Sequence, residues 1–190
     1  MNGERSSAST FPLTAERAFG LMPEDQVAAA VAKEAERIEE DALYSAKRHF
    51  NAAAYWNNLH LVLGLPTALI AGISGISALS GFNHHSLLAG ALAILVAGLT
   101  ALTTFLNPSQ RATYHHDFGN RYNALRNKAR ILREIESLTT SPAELTKEIK
   151  ALNRERDELN QKAPQTPRWA FTQARAGIEE GEAQYQADKQ

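Results

Sequence analysis

The sequence predicts an all-α membrane protein, a two-transmembrane helical hairpin whose helices extend into a long cytoplasmic, coiled-coil-like bundle. Three observations predict it. From His49 to Gln110 there are sixty-two consecutive residues without a Lys, Arg, Asp or Glu, and every charged residue lies outside that run. Within the run, two apolar blocks, Leu59 to Leu79 and Leu87 to Leu106, flank the polar pentad GFNHH. Each block has ~20 residues, which as a helix covers ~30 Å, the thickness of a bilayer's hydrocarbon core. Outside the run, apolar residues recur at helical spacing and no strand-like alternation is present. The mean hydropathy of -0.34 and the 22% charged residues therefore average two unlike parts.

Residues 1–22 are rich in Ser, Thr and small residues without periodicity, and read as disordered or loosely docked. Residues 23–58 form a cytoplasmic helix leading into the membrane. Pro23 followed by Glu24 and Asp25 suits a helix N-terminus, where carboxylates meet the positive end of the dipole. Val27, Val31, Ala35, Ile38 and Ala42 then mark one face, and no Gly or Pro interrupts the pattern before Leu63.

Residues 59–80 are the first span. Tyr55 and Trp56 stand just before it at the interfacial aromatic position, and Pro66 lies about one turn inside, where it is expected to kink the helix. Residues 81–86 form the extracytoplasmic loop and residues 87–107 the second span, which ends at the restart signal Asn107-Pro108.

Residues 108–163 read as a helical hairpin. Phe118, Tyr122, Leu125, Ala129 and Leu132 give one seam, and Leu145, Ile149, Leu152 and Leu159 give the other. Between them lies a break at Thr139-Thr140-Ser141-Pro142, with capping-box spacing from Ser141 to Glu144. Residues 164–190 hold a last short helix anchored through Trp169 and Phe171, fraying after Gly181.

Orientation follows from basic residues near the span ends. Lys47 and Arg48 precede the first span, Arg111 follows the second, and the loop has none, so both termini are expected in the cytoplasm. The first apolar block lies too far along the chain for an ordinary cleaved leader. With no cysteine, disulfides and thiolate metal sites are excluded.

The run KRHFNAAAYWNNLHLVLGLPTALIAGISG enters the membrane through aromatic, Leu-His and Gly-x-Pro features. After the second span comes FLNPSQRATYHHDFGNRYNALRNKAR, a basic exit helix with Gly119, Tyr122, Leu125 and Arg126. Over residues 25–188 this resembles the SLATT superfamily, SMODS and SLOG-associating two-transmembrane effector domains found beside nucleotide-second-messenger synthases and SLOG sensors in bacterial conflict systems. The resemblance implies a bacterial inner-membrane protein that assembles into pores and harms its own cell when a sensor fires, an antiviral abortive-infection role. No sensor or synthase motif is read in this sequence, so the implied trigger is a separate sensor protein or a nucleotide second messenger.

Several side-chain patterns are candidates for that role. Small residues, among them Gly64, Gly72, Gly75, Gly90 and Ala97, allow close helix approach, within one hairpin or between copies. Asn57, His60, Thr67 and Ser74 share a face of the first span, and Thr100, Thr103 and Asn107 a face of the second. These faces suit a pore lumen or an interhelix contact. The ordinary alternative is a hydroxyl bonded to its own helix backbone.

Arg111, Arg121, Arg126, Lys128 and Arg130 follow the second span. They can satisfy topology alone, hold anionic lipid head groups, or bind a ligand. His115, His116 and Asp117 are neighbours that point ~100° apart on a helix, so they read as surface residues rather than a metal clasp; His84 and His85 sit in the loop. Sparse aromatic interleaving argues against nucleic acid. No phosphate loop, nucleophile elbow or metal-binding helix occurs, so neither enzyme activity nor a cofactor is expected. The reading is a homo-oligomeric pore-forming or ion-channel effector in contact with membrane lipids. The alternative is a non-conducting, membrane-anchored scaffold or sensor subunit that recruits a partner through its cytoplasmic helices.

Overall fold

The structure, a computed structural model, describes residues 23–79 and 86–185. The expected loose N-terminus, residues 1–22, and the loop histidines His84 and His85 lie outside the described residues. Helix α1, Glu24–Leu79, holds 56 residues, a rod of ~84 Å at 1.5 Å per residue. Its first turn carries Glu24 and Asp25, and the Pro23 carbonyl accepts from the Gln26 and Val27 amides at 3.0 and 3.2 Å. The rod continues without a break through Pro66, whose missing N–H leaves the Val62 carbonyl without its helical donor.

Helix α2, Ser86–Leu106, is the second apolar rod. It stops at Asn107, the one described non-Gly residue with positive φ (φ 44°, ψ 56°), and Pro108 opens α3, Pro108–Ile131. Proline disfavours a right-handed helical residue before it, and Asn tolerates the left-handed region better than most side chains. The predicted break is therefore observed, but Asn107 turns the chain as a hinge instead of capping α3 with its side chain, which meets Gln110.

α3 passes into a π-helical stretch, Leu132–Glu136, and a single α-turn, Ser137–Thr139. Then α4, Pro142–Lys162, starts on Ser141, whose hydroxyl accepts from the Glu144 amide at 3.5 Å. Helix α5, Arg168–Glu179, ends the architecture.

The part outside the apolar rods is an antiparallel bundle. Contacts of His49 with His115 and of Glu39 with Arg133 fix α1 against the α3 rod. Contacts of Tyr122 with Asn160 and of Lys128 with Glu155 fix α3 against α4. All three predicted seams are buried: Val27 to Ala42 on α1, Phe118 to Leu132 along the α3 rod, and Leu145 to Leu159 on α4. On α1 the buried stripe extends further, through Ala46, His49 and Ala53. Its 4-4-3 spacing averages ~3.67 residues per turn, near that of a straight helix, so one face stays inward with little supercoiling.

α5 differs from expectation. Ala170, Ala174 and Gly177 face the bundle, whereas Trp169 and Phe171 are 41% and 43% exposed. Small residues seat the helix closely, and the two rings flank it against Tyr55 and Tyr44. Nor does the chain simply fray at Gly181. That residue takes φ 89° as the left-handed cap of α5, and the Glu182 amide donates to the Gly177 carbonyl and the Gly181 amide to Ile178. This is a Schellman closure, and it turns the tail back onto α3.

Leu125 has no exposed surface and lies mid-seam. Leu125→Ala is expected to destabilise the bundle by about 2–5 kcal/mol. The check is the denaturant midpoint of the detergent-solubilised protein.

Candidate functional site

The two apolar helices expose their surface. Neither apolar window has any residue buried within the protomer. The core helix of a water-soluble protein would be covered, so these rods belong in lipid or against other helices. Their partly covered positions form one stripe each: His60, Leu63, Thr67, Ile70 and Ser74 on α1, and Ala89, Leu92, Val96, Leu99 and Thr103 on α2. Both stripes step by three and four, the pattern of two helices packed along a shared seam.

This placement sorts the sequence candidates. His60, Thr67 and Ser74 lie on the seam, turned toward the sister helix, while Asn57 is exposed beside α3 near Ala112, Thr113 and His116. The Thr67 hydroxyl donates to the Leu63 carbonyl and Thr103 to the Leu99 carbonyl at 2.9 Å, each within its own helix. Thr103 shares the inner seam, but Thr100 does not: it lies outward with Thr104, which donates to the Thr100 carbonyl. The second-span trio is therefore split, and its third member, Asn107, is the hinge. Gly64, Gly72, Gly75, Gly90 and Gly98 have open space where a side chain would start, and Ala97 is exposed. The small residues do not serve close packing inside this hairpin.

Beneath the spans, α1 and α3 meet in a joint. The Cβ position of Gly119 lies 2.7 Å from the Phe50 ring, so only glycine lets the helices approach there. One turn nearer the membrane on α3, His115 meets His49; the two are 5% and 1% exposed, with their Nδ1 atoms 3.0 Å apart. Only one of the two nitrogens can carry hydrogen at that distance. The His49 ring stacks on Phe118 and Tyr122, and its Nε2 is buried without a partner among the described residues.

Burial, then the charge of His115, then that of Arg48 lower the His49 pKa to about 4. Burial, then Arg111, lower that of His115. Both rings are therefore neutral at pH 7. The surface reading of His115 is corrected: it faces inward while His116 stays exposed. The missed signal was the apolar spacing itself. His49 continues the α1 stripe after Ala42 and Ala46, and His115 precedes Phe118 by three.

The basic strip divides by depth. The Arg111 Nε donates to the Leu106 carbonyl at 2.8 Å, capping the end of α2, and its guanidinium lies 4.9 Å from the Trp56 ring centre. That places a cation at the membrane interface, at the negative end of a helix dipole. Arg121 pairs with Asp117 and Lys128 with Glu155, both on exposed surface. Arg126 and Arg130 lie deeper, beside Arg133, the last cation of the same basic run.

An all-helical hairpin with uncovered apolar rods and a folded bundle at its foot defines a two-span membrane protein. The chain belongs to a family of membrane effector domains, SMODS and SLOG-associating 2TM effector domain family 4, whose model matches residues 36–190. The match covers both spans and most of the bundle, as the resemblance in the sequence implied. No curated protein and no solved structure matches the chain.

The joint carries a pH dependence. An unfolded histidine takes up its proton near pH 6.5, whereas His49 in the fold does so only near 4. Between those values the unfolded chain binds more protons, so stability falls as pH drops from about 6.5 to 4 and is complete above that window. The facing groups, Arg48, Arg111 and His115, are all basic and act in the same direction. Melting temperature measured across that range should decline in the wild type and decline less in His49→Phe, which keeps the ring stack without the titration.

Proposed function

We propose that this protein is a non-enzymatic, homo-oligomeric membrane effector that forms or gates a pore in the bacterial inner membrane, with both termini in the cytoplasm. The role is permeabilisation of the host membrane in a conflict system, on a signal from a separate sensor. One observation carries the reading: the hairpin leaves small and hydroxyl residues uncovered on its outer faces. On α2, Ala93, Ala97, Thr100 and Thr104 are all exposed and step by four, three and four. On α1, Ala68, Gly72 and Gly75 are exposed likewise. In lipid, such faces are best used against neighbouring helices or a water-filled lumen.

The two polar faces then take different parts. Thr100 and Thr104 reach a lumen without rearrangement of the hairpin. Thr67 and Ser74, held on the seam, become available only if α1 turns relative to α2, and Pro66 is where the backbone of α1 yields most easily. The Ser74 hydroxyl, buried with no partner among the described residues, makes the covered arrangement the less satisfied one. A lumen of hydroxyls without fixed charge discriminates poorly among ions.

A second reading, a non-conducting scaffold, is favoured by the far tip of the bundle. There Ile131, Ile135 and Leu138 are 43%, 57% and 83% exposed on the rod that includes the π-helical stretch. A partner helix of matching apolar face would cover them.

Dye-loaded liposomes separate the readings. The pore predicts release by wild-type protein and a several-fold reduction in Thr100→Trp, with little effect from Leu69→Phe on the lipid side. Exchange of both spans for an unrelated two-helix anchor should abolish activity in cells. Retained activity after that exchange, with no release from any liposome, supports the scaffold and removes the pore.

A further inference from the structure

The cleft at the distal end of α3 has features that neither spanning the membrane nor the pore uses. Arg126, Arg130 and Arg133 line one side of a cavity of about 410 Å³, with Glu39 and Glu134 at its edge and the turn Ala183 to Tyr185 opposite. The Tyr185 ring lies over two guanidiniums, 5.5 Å from Arg126 and 5.0 Å from Arg130. The acids are already engaged. Arg133 holds Glu39 at 3.0 and 3.1 Å and Glu134 at 3.0 Å, while Arg126 reaches Glu39 only at 4.0 Å.

Arg130 has no acidic partner among the described residues, and the Nε atoms of Arg126 and Arg130 are both buried without an acceptor among them. Arg126 otherwise reaches only the Ala183 carbonyl, at 3.5 Å. A guanidinium stays charged at any physiological pH, and a buried N–H without an acceptor is costly. Three cations facing two acids leave one positive charge in a walled cleft.

We propose that this cleft binds a water-soluble phosphate ester. The Arg126 and Arg130 guanidiniums hold the phosphate, and Tyr185 offers a stacking face to the ester's ring. Arginine forks match phosphate oxygens in pairs, and an aromatic wall beside them selects a planar group. Depth excludes a lipid head group as the source. Arg126 lies ~28 Å along α3 from Asn107 at 1.5 Å per residue. The field of an anionic membrane surface decays within a Debye length of ~8 Å.

The wall is also built to stay in place. The Gly181 closure of α5 and the ion pair of Glu182 with Lys47 set the path of the tail that brings Tyr185 over the arginines. The site stands apart from the pore reading and needs no conduction to be tested.

The probes are inorganic tripolyphosphate and ATP, titrated calorimetrically against the full-length protein in nanodiscs of neutral lipid, with cosedimentation on phosphatidylglycerol vesicles as the separate lipid arm. Both probes should bind the wild type. Arg130→Gln should weaken each by roughly tenfold or more, the loss of one charge-assisted contact, and Arg130→Lys should recover part of it. Tyr185→Ala should weaken ATP while leaving tripolyphosphate within about twofold, because only the ring contact is lost. Arg130→Gln should leave vesicle binding unchanged. Two results overturn the proposal: no tripolyphosphate binding to wild-type protein at millimolar concentration, or equal binding by Arg130→Gln that retains the wild-type melting temperature. Vesicle binding that depends on Arg130 reassigns the phosphate to lipid and overturns the soluble ester.

Discussion

Everything in this molecule is arranged around apolar surface that one copy cannot bury. Two helices side by side cover a single stripe each, and the remainder of both spans faces outward. Lipid is the solvent that tolerates this, and it admits helices because their backbone groups are satisfied internally. The consequence reaches beyond the membrane. α1 runs unbroken from the far end of the bundle through the first span, so the bundle and hairpin share a structural rod. Movement of one part relative to the other must be taken up at a few places. Asn107 breaks the second strut in a left-handed conformation, and Pro66 weakens the first.

Between those two weak places and the bundle lies the tightest part of the structure. Gly119 admits the Phe50 ring, and the paired imidazoles of His49 and His115 pack neutral among aromatic rings. The neutral pair keeps α1 and α3 in register. Protonation of both would place two N–H groups and two charges against each other in a buried site, with Arg48 and Arg111 adding repulsion. The joint that ties the bundle to the spans therefore weakens as its histidines take up protons.

Charge is distributed along α3 by depth. Near the membrane, Arg111 caps α2 and stacks on Trp56, duties set by the interface and the helix dipole. Further along, Arg121 and Lys128 are neutralised by local acids at the surface. At the distal end three cations face two acids inside a cavity, and there the C-terminal turn brings an aromatic ring over them. A single basic run therefore contains three environments, and distance from the bilayer separates them.

The sequence by itself determined the fold class, because a charge-free run of that length and seams at helical spacing are one-dimensional signals. The buried stripes through Ile38, Leu125 and Leu145 were legible for that reason, as was the break before Pro108. The candidate site was legible only in part. Thr67, Ser74 and Thr103 were visible as polar residues in apolar helices, but which side of each helix meets the other span depends on the rotation of two packed rods, and spacing within one rod does not record it. His49 and His115 are sixty-six residues apart in the chain, and Arg126 and Tyr185 nearly as far. Tertiary structure alone decided those meetings, because antiparallel packing and the Gly181 turn bring together residues with no local relation to one another.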